Sequence, residues 1–219
     1  MDITAFIFDL DGVIVFTDQF HYQAWKQIAD KKGIYFDEAI NNRLRGVSRA
    51  DSLEIILEKY EGIMSDNEKK NIMEEKNNIY KELLTSMTPA DVADEVRNTL
   101  EVLRNRGMRL AIGSSSKNAR FILEKVGLLD VFDAISDGNN ISKSKPNPEV
   151  FLKAAEFLGE NPERCVVVED AYAGIDAAKT AGMFAIGMGD AYYYDRADYK
   201  VTSFREIAEF AVSILKHLP

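Results

Sequence analysis

The stretch Phe6-Ile7-Phe8-Asp9-Leu10-Asp11-Gly12-Val13-Ile14 contains an apolar run that leads into two carboxylates. The apolar run predicts a buried strand, and Gly12 marks the turn at its end. Residues two apart on a strand point to the same face, so we expect Asp9 and Asp11 to project into one small volume. Taken alone, the pair is equally compatible with two solvated acids in a turn and with a site that uses both.

The composition predicts a globular protein with one large domain and one smaller domain. The chain has 219 residues, of which 46% are hydrophobic and 29% are charged, as in ordinary folded proteins. No stretch reaches the ~20 apolar residues that span a bilayer, and we recognise no signal or transit segment near the N-terminus. We therefore expect a cytoplasmic protein without a membrane partner.

The charge and the cysteine content narrow the function classes further. A net charge of −9 repels a nucleic-acid backbone, so no nucleic-acid partner is expected. A small anion could still be bound by local cations and backbone amides.

The single cysteine, Cys165, opens an apolar run and is predicted to be a small buried side chain. One cysteine forms no intramolecular disulfide, which agrees with a reducing compartment.

From residue 109 onward, short apolar runs alternate with helical patterns, which is typical of a parallel sheet with crossover helices. Together with the first strand, these runs predict a doubly wound, Rossmann-like α/β domain. The predicted strands cover 109–113, 132–135, 165–168, 184–187 and 199–201, and the predicted helices cover 117–126, 149–158, 173–181 and 204–217.

Residues 18–87 show helical periodicity without strand runs, which predicts an α-helical cap inserted after the first strand. Ser48 with Asp51 and Ser65 with Glu68 resemble capping boxes at helix starts. Helix ends are predicted at Gly33 and Gly62, a first helix is predicted over 18–31, and Pro89 marks the return to the sheet. The predicted domains are a core of residues 1–15 and 89–219 and a cap of residues 16–88.

Ligands of open parallel sheets bind at the carboxyl ends of the strands, so the residues that follow each strand are candidates for a site. Each candidate also has an ordinary structural explanation. The turn of residues 114–118, Ser114-Ser115-Ser116-Lys117-Asn118, could bind phosphate or cap a helix. Lys145, which precedes Pro146, could pair with an anion or lie on the surface. The acids Glu169 and Asp170 could hold Mg²⁺ or cap a helix.

Taken together, the strand ends supply the parts needed for phosphoryl transfer through an aspartyl-phosphate: two carboxyls, metal-binding acids, a lysine and hydroxyls. These motifs, in this order, resemble the four motifs of the haloacid dehalogenase superfamily over the whole chain. The insertion is similar to the cap of the beta-phosphoglucomutase family within it. The residues that carry this second resemblance include Thr17, His21, Trp25, the run Arg45-Gly46-Val47-Ser48-Arg49, Ser52 and Lys76.

The resemblance implies a Mg²⁺-dependent phosphomutase that interconverts beta-glucose 1-phosphate and glucose 6-phosphate through beta-glucose 1,6-bisphosphate. Asp9 would be the nucleophile and Asp11 the acid/base. The predicted metal ligands are Asp9, the carbonyl of Asp11, Glu169 and Asp170. Ser114 and Lys145 would hold the transferring phosphate; Arg49, Ser116, Lys117 and Asn118 would hold the far phosphate. The remaining predicted substrate contacts are Thr17, His21, Trp25, Gly46, Ser52, Lys76 and Ser115.

The cap residues also have structural explanations that the sequence leaves open. Trp25 fits the apolar stripe of its helix and His21 could be a surface residue. Lys76 lies on the buried-leaning helix face, from which it either reaches out to solvent or faces a ligand. Two departures from the family pattern stand out: Phe16 replaces an acid near the expected hinge, and Ala171 replaces a serine after the metal-binding acids.

Three other functions compete with the mutase. A phosphatase of the same superfamily would use the same two acids and pass the phosphoryl group to water. A phosphonate-cleaving relative is disfavoured, since those enzymes lack an acid at the position of Asp11. A sugar-phosphate-binding protein without turnover is disfavoured by the intact acids. We expect the chain to act as a monomer on a small sugar phosphate.

Overall fold

The computed structural model describes residues 2–215, and within them a six-stranded parallel sheet forms the centre of the fold. The strands are β1 (Ala5–Phe8), β2 (Arg109–Gly113), β3 (Ala134–Ser136), β4 (Cys165–Glu169), β5 (Phe184–Gly187) and β6 (Tyr199–Lys200). Their order across the sheet is β3-β2-β1-β4-β5-β6. The chain therefore leaves β1 in one direction for β2 and β3 and in the other for β4, β5 and β6, as a doubly wound sheet does.

Both faces of the sheet are covered by helices. The α-helices within residues 2–215 are α1 (Asp18–Lys32), α2 (Glu38–Asn42), α3 (Arg49–Leu57), α4 (Asp66–Leu84), α5 (Asp94–Asn105), α6 (Ala119–Lys125), α7 (Glu149–Leu158), α8 (Tyr172–Thr180) and α9 (Phe204–Leu215). Helices α5, α6 and α9 bury apolar residues on one face, and α7 and α8 on the other. None of the helices described here has the length and apolar character that crossing a bilayer requires.

The alternation of side chains along β1 explains how the sheet joins its two cores. Phe6 and Phe8 enter one apolar cluster, whereas Ala5 and Ile7 enter the other. All four residues are fully buried, since a central parallel strand is covered on both faces. Cys165 is also buried, as predicted, at the start of β4.

Helices α1 to α4 form the inserted segment between β1 and β2, and they have an apolar cluster of their own around Trp25, Ile28, Ile56 and Ile72. Helices α1 and α4 also reach the main core, for example through Tyr80. The division of the chain into a core of 1–15 and 89–219 and a cap of 16–88 stays a prediction.

Most local signals in the insertion predict its helix ends correctly. Ser65 forms a capping box with Glu68 at the start of α4, and the Ser48 hydroxyl accepts from the backbone N–H of Asp51 at the start of α3. Gly33 ends α1 in the left-handed conformation that glycine adopts without a steric penalty. Pro89 opens a short 3₁₀ helix, Pro89–Asp91.

Several predicted bounds differ from the structure. Gly62 ends no helix, because α3 already stops at Leu57. The helix predicted over 117–126 begins at Ala119 and ends at Lys125, since the preceding residues form a turn. The strand predicted over 132–135 is β3, Ala134–Ser136, because a short 3₁₀ helix, Leu129–Val131, precedes it and ends at Phe132. Of the helix predicted over 204–217, residues 216 and 217 lie outside the described part.

Candidate active site

The end of β1 brings the two acids of the opening motif to the edge of the sheet. The backbone N–H of Asp9 donates to the Val168 carbonyl at 3.0 Å, which fixes Asp9 beside the end of β4. Gly12 follows with a φ of 89°, and a Cβ atom here would overlap the Asp170 carboxylate. A glycine is therefore required for the close approach of the β1 turn to the acids after β4.

Lys145 lies beneath this edge, fully buried between two carboxylates. Its ammonium group is ion-paired with Asp9 and lies 2.6 Å from Glu169 Oε1. Burial alone would lower the pKa of Lys145, but the two carboxylates more than offset burial and raise it. The other oxygen of Glu169 accepts from the backbone N–H of Ala171 at 2.8 Å. Lys145 is therefore a fixed positive charge and not a surface lysine.

Asp9, Glu169 and Asp170 form the candidate metal site. One carboxylate oxygen from each lies within 4.8 Å of the others. Burial, with repulsion from neighbouring carboxylates, raises the pKa of Asp9 to about 7 and that of Asp170 to about 8. A divalent cation would remove this repulsion, and carboxylate oxygens are the ligands that Mg²⁺ prefers. The donor set therefore fits Mg²⁺.

Asp11 is placed differently, because its carboxylate turns toward the cap. The hydroxyl of the buried Thr17 donates to Asp11 Oδ1. Burial raises the pKa of Asp11, and the hydrogen bond from Thr17 offsets part of that rise. The carboxylate of Asp11 does not belong to the metal-binding group, so its predicted contribution to the metal is limited to its carbonyl. A raised pKa favours the protonated form, as an acid catalyst requires.

The turn after β2 holds its hydroxyls in place through its own backbone. The Ser114 hydroxyl accepts from the N–H of Ser116 at 3.1 Å, and the Ser116 hydroxyl accepts from the N–H of Asn118 at 3.2 Å. Ser114 is buried and lies at the edge of the sheet, whereas Lys117 is exposed. The turn therefore combines the buried hydroxyl of Ser114 with the exposed cation of Lys117, three residues later.

A cavity of about 680 Å³ separates this edge from the cap. Of the predicted site residues, Glu169 and Lys145 lie beneath the cavity and do not line it. The others line it from both sides: Asp9, Asp11, Ser114, Ser115, Ser116, Lys117, Asn118 and Asp170 from the sheet edge, and Thr17, His21, Trp25, Gly46, Arg49, Ser52 and Lys76 from the insertion. The structure thus brings the predicted residues together around one space.

Lys76 resolves two of the alternatives that the sequence left open. It is 2% exposed, its Nζ lies 2.8 Å from His21 Nδ1, and it lies over the rings of Tyr80 at 4.4 Å and Trp25 at 5.2 Å. Lys76 therefore does not reach out to solvent, and His21 is not a surface histidine. Burial and the neighbouring cations lower the pKa of both well below their ordinary values. Trp25 belongs to the apolar cluster of the insertion and also lines the cavity, and its contact with a substrate stays a prediction.

Two contacts bring the loop before α3 onto the sheet edge. The Ser115 hydroxyl donates to the Gly46 carbonyl at 3.4 Å, and a Cβ atom at Gly46 would lie 3.3 Å from that of Ala171. The small side chain of Ala171 is therefore the surface over which this loop passes. Phe16 is 74% exposed at the wall of the cavity, so it leaves an apolar ring at the mouth near the start of α1.

Sequence reasoning missed three residues at this site. Tyr80 could have been found, because it lies one turn after Lys76 on the same face of α4. Arg45 was quoted for its resemblance to the family, but its ion pairs with Asp190 at 3.0 Å and with Asp18 at 3.6 Å were not expected. Asn77, which joins Arg49 to Asn118, has no sequence signal, since an asparagine on a helix is usually a solvated surface residue.

Comparison with known proteins identifies the class first. A family model described as haloacid dehalogenase-like hydrolase matches residues 3–182. The chain is 41% identical to beta-phosphoglucomutase from Bacillus subtilis, over 96% of this chain and 93% of that protein. It is 35% identical to a phosphorylated carbohydrates phosphatase from Thermotoga maritima, over 82% of each.

The fold leads to the same family. The crystal structure of beta-phosphoglucomutase from Clostridium difficile superimposes with a TM-score of 0.89 at 39% identity, over 98% of this chain and 100% of that one. The chain therefore belongs to the haloacid dehalogenase superfamily and, within it, to the beta-phosphoglucomutase family. Enzymes of this superfamily use Mg²⁺, which agrees with the group of three carboxylates.

Proposed function

We propose that the chain is a Mg²⁺-dependent phosphomutase that interconverts beta-D-glucose 1-phosphate and D-glucose 6-phosphate through an aspartyl-phosphate and beta-glucose 1,6-bisphosphate. The observation that carries the proposal is the arrangement of one cavity. Asp9, Asp11 and Ser114 lie at its floor, and Arg49, Lys117 and Asn118 line it as candidates for a second phosphate. The beta-phosphoglucomutases of Bacillus subtilis and Clostridium difficile support this reading.

Asp9 is proposed as the nucleophile that accepts the phosphoryl group. Lys145 and the hydroxyl of Ser114 hold the transferring phosphate, and the fixed charge of Lys145 stabilises the negative charge that develops there. Because Lys145 is held by Asp9 and Glu169, its charge already lies beside the carboxylate that accepts the phosphoryl group. Asp11 gives its proton to the leaving sugar oxygen and, in the reverse half, accepts one from the attacking sugar hydroxyl.

Asp9, Glu169, Asp170 and the Asp11 carbonyl are the proposed metal ligands. When bound, Mg²⁺ offsets the charge of the phosphate and of the acids around it. Each carboxylate oxygen of Glu169 already accepts one protein hydrogen bond and keeps a second lone pair. Burial raises the pKa values of Asp9 and Asp170, and a bound cation would favour their charged forms.

The far phosphate is proposed to bind Arg49, Ser116, Lys117 and Asn118, where a guanidinium and an exposed ammonium face the cavity. The sugar then lies between the two phosphate sites. His21, Trp25, Lys76, Ser52, Thr17, Gly46 and Ser115 are the proposed contacts around it. All of these residues belong to one chain, so we propose that the monomer is active.

The bisphosphate must be released, turned and captured again in the opposite orientation, so both phosphate sites have to accept either end of the sugar. Water must also be kept from the aspartyl-phosphate. The alternative is a phosphatase that passes the same phosphoryl group to water, as the name of the Thermotoga maritima relative indicates for that protein. A second phosphate site favours the mutase, since hydrolysis of a monophosphate does not need one.

The test supplies beta-glucose 1-phosphate, Mg²⁺ and a trace of the 1,6-bisphosphate, and follows glucose 6-phosphate and inorganic phosphate together. We expect glucose 6-phosphate to form in large excess over phosphate. Phosphate release without isomerisation would instead establish the phosphatase. The same assay without the bisphosphate is the control, because a mutase of this kind starts slowly when no phosphoryl donor is present.

A further inference from the structure

Asn77 on α4 connects two candidate phosphate ligands that come from different parts of the fold. Its side-chain carbonyl Oδ1 accepts a hydrogen bond from Arg49 Nη2 at 2.7 Å and another from Asn118 Nδ2 at 3.0 Å. Arg49 opens α3 in the insertion, whereas Asn118 lies directly before α6 at the sheet edge. One acceptor therefore joins three elements across the cavity.

The two hydrogen bonds use both acceptor positions of Oδ1 and leave donors on each partner. A guanidinium carries five N–H groups and a side-chain amide carries two, so Arg49 and Asn118 each keep N–H groups for an anion. Asn118 is buried, at 5% exposure. Burial also lowers the pKa of Arg49, which means that its charge is partly withdrawn from water.

Arg49 lacks the partner that such a charge usually has. Among the residues that the structure describes, no carboxylate lies within ion-pair distance of Arg49, although Arg43 and Arg45 nearby are both paired. The buried Lys76 lines the same cavity, and burial together with repulsion from Arg49 lowers its pKa. A partly buried, unpaired guanidinium held by a neutral acceptor is suited to an incoming anion.

We propose that Asn77 is a positioning residue of the far phosphate site, which places the guanidinium of Arg49 against the amide of Asn118 so that one phosphate can bind both. This inference rests on the proposed function, and it adds that binding of the far phosphate is coupled to the position of the insertion. Because Asn77 belongs to the insertion while Asn118 belongs to the sheet edge, the complete phosphate site exists only when the insertion lies against the core. Binding of the far phosphate then favours closure, and closure favours binding.

The test compares the variants Asn77→Leu and Asn77→Ala, both of which remove the acceptor, with Arg49→Ala and with the double variant Asn77→Leu/Arg49→Ala. Asn78→Leu, an exposed neighbour on the same helix, is the matched control. Each is assayed for the KM for beta-glucose 1-phosphate in the mutase reaction. Each is also assayed for hydrolysis of p-nitrophenyl phosphate, whose single phosphate needs only the site at Asp9.

We expect Asn77→Leu and Asn77→Ala to raise the KM about tenfold, since each loses a hydrogen bond to a charged group, while hydrolysis of p-nitrophenyl phosphate stays within about twofold. In the Arg49→Ala background, Asn77→Leu should add less than about twofold, because its effect acts through Arg49. Asn78→Leu should behave like the unaltered chain.

Three results would overturn the inference. The first is a KM of the Asn77 variants within about twofold of that of the unaltered chain. The second is an equal rise in KM from Asn77→Leu with and without Arg49, and the third is a parallel loss of p-nitrophenyl phosphate hydrolysis. The last two would mark a general structural effect. Failure of the proposed function has a separate signature, since the unaltered chain would then form no glucose 6-phosphate at all.

Discussion

Lys145→Met is the substitution that most directly disturbs the charge balance of the site. Lys145 is fully buried with its ammonium group against Asp9 and Glu169, and methionine fills a similar volume without the charge. Removing one partner of a buried ion pair costs about 3–5 kcal/mol of unfolding free energy. Asp9 has a pKa of about 7, so it can take up a proton at modest cost, and we expect a loss near the lower end of this range.

The expected loss is measured by urea unfolding, followed by circular dichroism at pH 7 in EDTA. A loss of about 3 kcal/mol corresponds to a fall in Tm of roughly 6–12 °C for a domain of this size. Turnover should also fall by about 10²–10³, because a fixed cation no longer stabilises the charge on the transferring phosphate. Lys143→Met, two residues away and exposed, is the control and should stay within about 0.5 kcal/mol.

A Lys145→Met variant as stable as the Lys143→Met control would refute the reasoning, since it would mean that the two carboxylates need no buried cation. A Lys145→Met variant that loses stability but retains turnover would refute only the proposed role of Lys145 in catalysis. In that case Lys145 would hold the strand ends together without touching the phosphate.

Three further predictions follow from single contacts. Asp11→Asn should abolish turnover while phosphate ligands still bind, as judged by calorimetry; unchanged turnover would remove the acid/base assignment. Arg45→Ala breaks the ion pair with Asp190 that joins the insertion to the core, together with the pair with Asp18 inside the insertion, so we expect a few-fold rise in the ratio of phosphate to glucose 6-phosphate formed. A ratio equal to that of the unaltered chain would show that these exposed pairs do not limit water entry. Burial raises the pKa of Cys165 to about 12, so a thiol reagent should label it only after unfolding, and rapid labelling of the folded chain would contradict the observed packing.

The sheet and its catalytic edge could be predicted because they follow from short-range rules. The apolar run of β1 places Asp9 and Asp11 directly after a buried strand, and parallel connections bring the residues after β1, β2 and β4 to one edge. The proximity of Ser114 and Asp170 to Asp9 can therefore be predicted without any knowledge of the tertiary packing. Capping at Ser65 and the stop at Gly33 are equally local.

The rest depends on how elements pack, which the sequence pattern does not encode. The burial of Lys145 follows from the path of the loop after β3, and the same residue type before a proline is common on surfaces. Asn77 meets Arg49 and Asn118 only because the packing brings α4, the start of α3 and the residue before α6 together. Gly62 shows that a local signal can also mislead. A glycine there is typical of a helix end, but α3 already ends at Leu57 and Gly62 lies in the loop that follows.

The central claim is that Asp9 carries the phosphoryl group and passes it to the sugar instead of to water. The direct measurement phosphorylates the chain with labelled phosphoryl donor and Mg²⁺, adds beta-glucose 1-phosphate, and quenches samples over time. We predict that the label appears in the bisphosphate and in glucose 6-phosphate far faster than in inorganic phosphate, and that Asp9→Asn takes up no label. Release of the label as inorganic phosphate at the same rate with and without the sugar would contradict the account.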